Sequence, residues 1–144
     1  MFQRRTLLIA CPLIAIASIA AMNQIAHSVP TDAKERVFEI RTYTTEPGKL
    51  PDLLKRFQDH TPKLFEKHGM TNIGYWVPTD EPLSKNTLIY VLAHDSRDAA
   101  KKSWNAFKSD PDWIKARDAS EANGKIVTKV DSIFAAPTTF SALK

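Results

Sequence analysis

Cysteine is almost missing: the 144 residues hold one, Cys11. A lone thiol cannot close an internal disulfide, and it excludes paired-cysteine metal sites and redox dithiols. Glycine is scarce at four residues, and no glycine-rich loop of the kind that cradles phosphates or dinucleotides can be found. A serine-nucleophile elbow is absent too. No run of lysine or arginine interleaved with aromatics supplies the electrostatic footprint of a nucleic-acid binder. The single long apolar stretch is broken before it reaches the roughly 20 residues that span a bilayer comfortably.

That stretch opens the chain. Met1 to Thr6 carry Arg4 and Arg5 without an acid, Leu7 to Met22 are almost wholly apolar apart from Pro12 and Ser18, and Ala26-His27-Ser28 sets small residues at the minus-three and minus-one positions of a cut. Residues 1–28 therefore have the layout of a secretory signal, with an uncleaved membrane anchor as the alternative. Cys11 follows Leu8-Ile9-Ala10, a box like that before a lipidated cysteine, but few apolar residues precede it and the apolar run continues past it, so lipidation is not expected. A cut after Ser28 leaves one cysteine-free domain, periplasmic or secreted, held together by packing alone. The formal charge of +4 halves when Arg4 and Arg5 leave. Residues 29–36, with Pro30, read as a linker.

In the remainder, "VFEIRTYT" at 37–44 alternates like a strand, with Phe38, Ile40 and Thr42 on one side and Val37, Glu39, Arg41 and Tyr43 on the other. From Leu50 the apolar spacing becomes three and four, which predicts a helix started by Pro51, kinked near Thr61 by Pro62 and ended by Gly69. Residues 70–77 and 87–94 read as a hairpin with a long loop. The apolar run Leu88 to Ala93 marks the second of these as a central strand. A helix then starts at Ser96 with Ala100, Trp104 and Phe107 on one face. Asp110 caps a further helical segment with Pro111 at its first position. Lys125 to Phe134 reads as the last strand, closed by Pro137. This order predicts an α+β fold, a split βαβ sheet of ferredoxin type.

Such a sheet, with helices on one face, leaves the other face bare. Placing Phe38 and Ile40 against the helices puts Glu39, Arg41 and Tyr43 on the open side, among large apolar neighbours. A second copy is the economical cover, because a twofold pairing needs one self-complementary surface.

"FEIRTYTTEPGKL", "LFEKHG", "WNAFKSDPDW" and "PTTFSAL", in that order, resemble the NIPSNAP family of the dimeric α+β-barrel superfamily, over residues 37–143. The resemblance implies a homodimer whose two ferredoxin-like sheets face one another around a barrel. It also implies that Trp104, Phe107 and Trp113 anchor the segment after the third strand and support the dimer seam.

The candidate ligand-binding residues are Glu39, Arg41, Tyr43 and His94. One reading makes Glu39, Arg41 and Tyr43 a buried network that fixes dimer register. The other makes them a clamp, with Arg41 binding an anionic or carbonyl group and Tyr43 donating a hydrogen bond. His94 is placed at the barrel mouth. His60 and His68 stand about two helical turns apart, too far to share one ion, and His68 suits a helix C-terminus, so no metal is expected. No cofactor is expected either. Two functions stay open. One is a homodimer that binds a small molecule or a protein partner. The other, implied by relatives elsewhere in the superfamily, is a cofactor-light monooxygenase-like or heme-handling enzyme. A cavity filled by Trp76 and Tyr90 would favour a scaffold.

Overall fold

Strands and helices follow one another as the periodicities predict in the computed structural model, which describes residues 36–144. The leader, its cut after Ser28 and the linker up to Glu35 lie outside the described residues. The order is β1 (Val37–Thr45), α1 (Leu50–Asp59), α2 (Thr61–Lys67), β2 (Thr71–Trp76), β3 (Thr87–His94), α3 (Arg97–Ser109), α4 (Pro111–Ser120) and β4 (Val127–Ala135). The four strands make one sheet in the order β2-β3-β1-β4. Every neighbouring pair is antiparallel. This is the ferredoxin-like α+β arrangement.

Local chemistry sets the boundaries. Pro62 has no N–H to donate, and the expected kink is a full break at His60 (φ −136°, ψ −50°) between α1 and α2. The Thr61 hydroxyl donates to the Arg56 carbonyl at 3.2 Å, which also accepts from the His60 N–H. Gly69 follows α2 at φ +75°, a left-handed position that any side chain would strain. The Ser96 hydroxyl accepts from the Ala99 N–H at 3.1 Å and starts α3. Asp110 caps α4, accepting from the Asp112 N–H at 2.7 Å. The same carboxylate meets Lys67 Nζ at 2.8 Å and His68 Nε2 at 2.6 Å. It therefore ties the end of α2 to the α3–α4 corner, and Lys67 and His68 hold its carboxyl well below the usual carboxylate range. His68 thus stands at the C-cap of α2, where its backbone N–H donates to the Leu64 and Phe65 carbonyls, while its side chain serves the corner.

The core lies between the sheet and the helices. Leu53 and Phe57 from α1, Phe65 from α2, Leu88, Tyr90 and Leu92 from β3, and Trp104 and Phe107 from α3 are all buried. Phe107 sits where the aromatics meet, with ring centroids 4.9 Å from Phe65, 5.6 Å from Trp104 and 4.5 Å from Trp113. This accounts for the aromatic density of "SWNAFKSDPDW". Trp104 and Phe107 fasten α3 to the sheet, and the half-buried Trp113 carries α4 onto Phe107. All three belong to the helix side, so a pairing across the bare sheet face leaves them behind the seam and not in it.

The phase expected for β1 is reversed. Glu39 and Tyr43 face the helices: Trp104 bonds Glu39, and Tyr43 packs on Phe57 and Tyr90. Phe38 and Ile40 face the open side with Trp76 and Val91. Alternation places residues on two sides without saying which is inside. Here both sides carry large groups, and the inward one is decided by donors on α3 and β3 that satisfy Glu39. The bare face consequently carries large exposed apolar groups, with Ile40 37 %, Trp76 51 % and Ile133 65 % exposed. Trp76 and Tyr90 lie on opposite faces, because Tyr90 opposes Tyr75 in the register and Trp76 opposes Ile89. They fill no common cavity.

Removing the side chain at the aromatic meeting point should be costly. Phe107→Ala is expected to lose about 3–5 kcal/mol of unfolding free energy in guanidinium titration. A loss under about 1 kcal/mol, the scale of a surface change, would show that Phe107 is not an anchor.

Candidate functional site

Charge buried in this domain centres on Glu39, which is 1 % exposed in the middle of β1. Four donors converge on its carboxylate. Oε1 accepts from Arg41 Nη1 at 2.5 Å and from the Ser132 hydroxyl at 2.7 Å. Oε2 accepts from Trp104 Nε1 at 2.6 Å and from His94 Nε2 at 3.0 Å. The donors come from β1, β4, α3 and β3, so a single side chain ties three strands to a helix.

Burial works to raise the Glu39 carboxyl, but the hydrogen bonds from His94, Ser132, Trp104 and Arg41 outweigh it and hold the group at about 2. Glu39 is therefore an anion at any physiological pH, and an ionised carboxylate can only accept. The Nε2 of His94 consequently donates in that bond, and its Nδ1 takes no part in it. That Nδ1 is buried without a hydrogen-bond partner among the described residues, as is Arg41 Nε. The guanidinium of Arg41 lies 4.2 Å from the Trp104 ring centroid and 5.6 Å from that of Tyr43. Burial opposes its charge, yet the phenols of Tyr90 and Tyr43 and the Glu39 carboxylate raise its pKa further. The buried Tyr90 hydroxyl stands beside Arg41 and Tyr43 without a well-formed hydrogen bond, and burial pushes it well above the ordinary phenol.

Glu39, Arg41 and His94 are thus brought together, on the helix side of the sheet and not on its open face. His94 is sealed at 1 % exposure and does not stand at a mouth. Tyr43 does not reach the carboxylate; it packs with Phe57 and Tyr90 on the far side of Arg41. Two members went unread in the sequence. Trp104 acts through its N–H as well as its bulk. Ser132 opposes Arg41 in the β1–β4 register, and only that register, invisible in a linear reading, could have singled it out.

Beside this network is a cleft of about 320 Å³ lined by Glu39, Arg97, Asp98, Lys101, Trp104 and Phe134. It opens over β4, where the helix layer leaves the sheet partly uncovered. Trp104 and Phe134 supply aromatic walls, and the Arg97 guanidinium lies 4.2 Å from the centroid of the Phe134 ring. Because Arg41 already neutralises Glu39, the remaining lining charges are two cations, Arg97 and Lys101, against one anion, Asp98. Among the described residues, no group of three His, Cys, Asp or Glu side chains converges as a metal site.

The sign of the acid dependence follows from Glu39. A carboxyl held at about 2 in the fold, against an ordinary 4.5, contributes stability above about pH 4.5 that is lost as pH falls from there towards 2. Glu39→Gln is expected to cost about 3–5 kcal/mol near neutral pH, because it strands the buried Arg41 charge, and to flatten that acid limb. Urea unfolding at a series of pH values checks both, and a variant with the parent's acid slope would remove Glu39 as its origin.

The NIPSNAP family model matches residues 38–142. No match is found among curated proteins. Among solved structures, a NIPSNAP family protein of unknown function from Agrobacterium tumefaciens superposes with a TM-score of 0.66 at 22 % identity, covering 78 % of this chain and 96 % of that one. An uncharacterized NIPSNAP domain protein from Burkholderia xenovorans gives 0.61 at 22 % identity, covering 73 % and 97 %. A monooxygenase from Streptomyces coelicolor, in complex with nanaomycin D, gives 0.54 at 14 % identity, covering 78 % and 96 %. Identities this low attest the shared fold alone. The matched span takes in every strand and helix of the sheet domain except the first residue of β1, and the chain belongs to the NIPSNAP family.

Proposed function

We propose that the domain is a homodimer that binds a small molecule with an aromatic or conjugated body and an anionic or carbonyl oxygen. The ligand lies in the cleft between the sheet and α3. The observation that carries this reading is the composition of that cleft: aromatic walls from Trp104 and Phe134, and a surplus of positive charge at Arg97 and Lys101. A pocket of mostly apolar wall with a few convergent polar groups is the usual form of a small-molecule site. Glu39, Arg41 and His94 support it from behind. They fix the Trp104 ring by its N–H and keep the floor polar without leaving a bare negative charge.

An enzyme acting by proton transfer is the second reading, and one observation favours it. Glu39 accepts from His94 Nε2 and orients the ring, the pairing found in a carboxylate–histidine base. Against it, His94 is sealed and does not line the cleft, and a carboxyl held at about 2 is too weak a base to act itself. Binding is therefore the better supported of the two.

The binding test uses 2-naphthoate, followed by its fluorescence. Arg97 and Lys101 are both exposed, so R97Q/K101Q should leave the melting temperature nearly unchanged while weakening 2-naphthoate at least about tenfold, the scale of losing one charge-assisted hydrogen bond. Absence of saturable binding to the parent, or equal affinity in the variant, would overturn the cleft as the site.

The domain is further proposed to work outside the cytoplasm, on the strength of the leader-like residues 1–28. Intact mass measurement on chain recovered from an exporting bacterial host should lack those residues. A mass that still includes Met1 would replace export by cleavage with an uncut anchor.

A further inference from the structure

Phe140 is 89 % exposed, the most exposed of the large apolar side chains described. It does not hang on a loose end. The Ser141 N–H donates to the Thr138 carbonyl at 3.1 Å. The Lys144 ammonium donates to the carbonyls of Thr138 and Thr139, the latter at 2.9 Å. Arg36, just before β1, donates from Nε to the Lys144 carbonyl at 3.0 Å. Residues 138–144 are thus closed into a turn and tied to the start of the sheet, and that turn holds a phenylalanine out into water.

Beside the turn, the bare sheet face carries an apolar trough of about 390 Å³, lined by Phe38, Ile40, Trp76 and Val91 and completed by Pro137 and Leu143. No charged side chain lines it. Its two hydroxyls are those of Thr138 and Ser141, and Ser141 spends its own on the Leu143 carbonyl at 2.8 Å. A small-molecule site needs polar groups placed to fix orientation, and this trough offers almost none. The same face continues through Ile40 and Ile133, both exposed, so its natural cover is as broad as a sheet.

We infer that the turn carrying Phe140 is an exchanged arm: when two copies meet across their bare sheet faces, Phe140 of each copy enters the trough of the other. This inference rests on the homodimer reading above. The turn itself forms one wall of the trough and is pinned by Lys144 and Arg36, so Phe140 reaches its own trough only by breaking those bonds. A protruding ring and a fitting recess on one face make a self-complementary surface, and a twofold axis then satisfies both contacts at once and closes the assembly. A buried aromatic carries about 150–250 Å² out of water on each side. A preformed turn brings it there without the ordering cost of a flexible tail.

The test separates the arm from the dimer. Sedimentation equilibrium of the full chain should show a dimer for the parent, and Phe140→Ala should raise its dissociation constant at least about tenfold. Far-UV circular dichroism should stay the same, because the ring is exposed in the single subunit. In a Cys11→Ser background, a Phe140→Cys chain mixed with a differently tagged Val91→Cys chain should form a disulfide between the two chains on oxidation. A parent dimer whose dissociation constant is unmoved by Phe140→Ala overturns the arm and leaves the dimer standing. A parent that stays monomeric at about 100 μM, well above typical specific affinities, overturns both. If the mixed chains form no disulfide while a single chain bearing both Phe140→Cys and Val91→Cys closes one within itself, the trough belongs to its own tail.

Discussion

A carboxylate placed between a sheet and a helix must be answered by donors or it will not ionise there, and the fold is arranged around that demand at Glu39. Its donors are spread across the chain, from Arg41 two residues away to Ser132 ninety-three away. Each one fixes a relation between elements. Ser132 fixes β4 against β1, His94 fixes the end of β3, and the Trp104 N–H fixes how α3 lies over the sheet. A hydrophobic contact would tolerate a slide along the strand; four directional bonds to two oxygens do not. The network is therefore better understood as a register device than as a store of stability, since burying such charges costs about as much as their pairing returns.

From this follows the character of both faces. Turning Glu39, Arg41 and Tyr43 inward turns Phe38 and Ile40 outward, so the side of the sheet without helices shows apolar groups to water. That asymmetry gives the domain two surfaces of different chemistry. Over β4 the incomplete helix layer leaves a cleft with aromatic walls and cations at its rim. On the opposite face lies a broad apolar surface edged by a structured turn. The first has the chemistry to hold a small anion-bearing molecule, and the second suits another protein surface.

Much of the architecture was legible in the sequence because it is written locally. Pro51, Pro62 and Pro111, the caps at Ser96 and Asp110, and the alternation of 37–44 act within a few residues of where they stand, and each boundary falls close to its signal. The phase of β1 was not legible. Alternation is symmetrical with respect to the two faces, and the usual rule that charge points outward fails when a network satisfies the charge. Glu39, Arg41 and His94 could be named as candidates, but their meeting with Trp104 and Ser132 depends on the register of β4 and the tilt of α3. Those are set by contacts between distant parts of the chain. Tyr43 shows the converse: it belongs to the same strand side as Glu39, yet four residues further along it packs on the core.

The strand order has a consequence for how the domain comes into being. β1 is the first strand in the chain and lies in the interior of the sheet, between β3 and β4. One of its partners ends at His94 and the other at Ala135, so β1 leaves the ribosome with neither neighbour made. The carboxylate in its centre stays in water until the last strand arrives. Contacts of such long sequence separation form slowly and close together. Pairing of β1 along both its edges is therefore complete only once the chain has been made as far as Ala135.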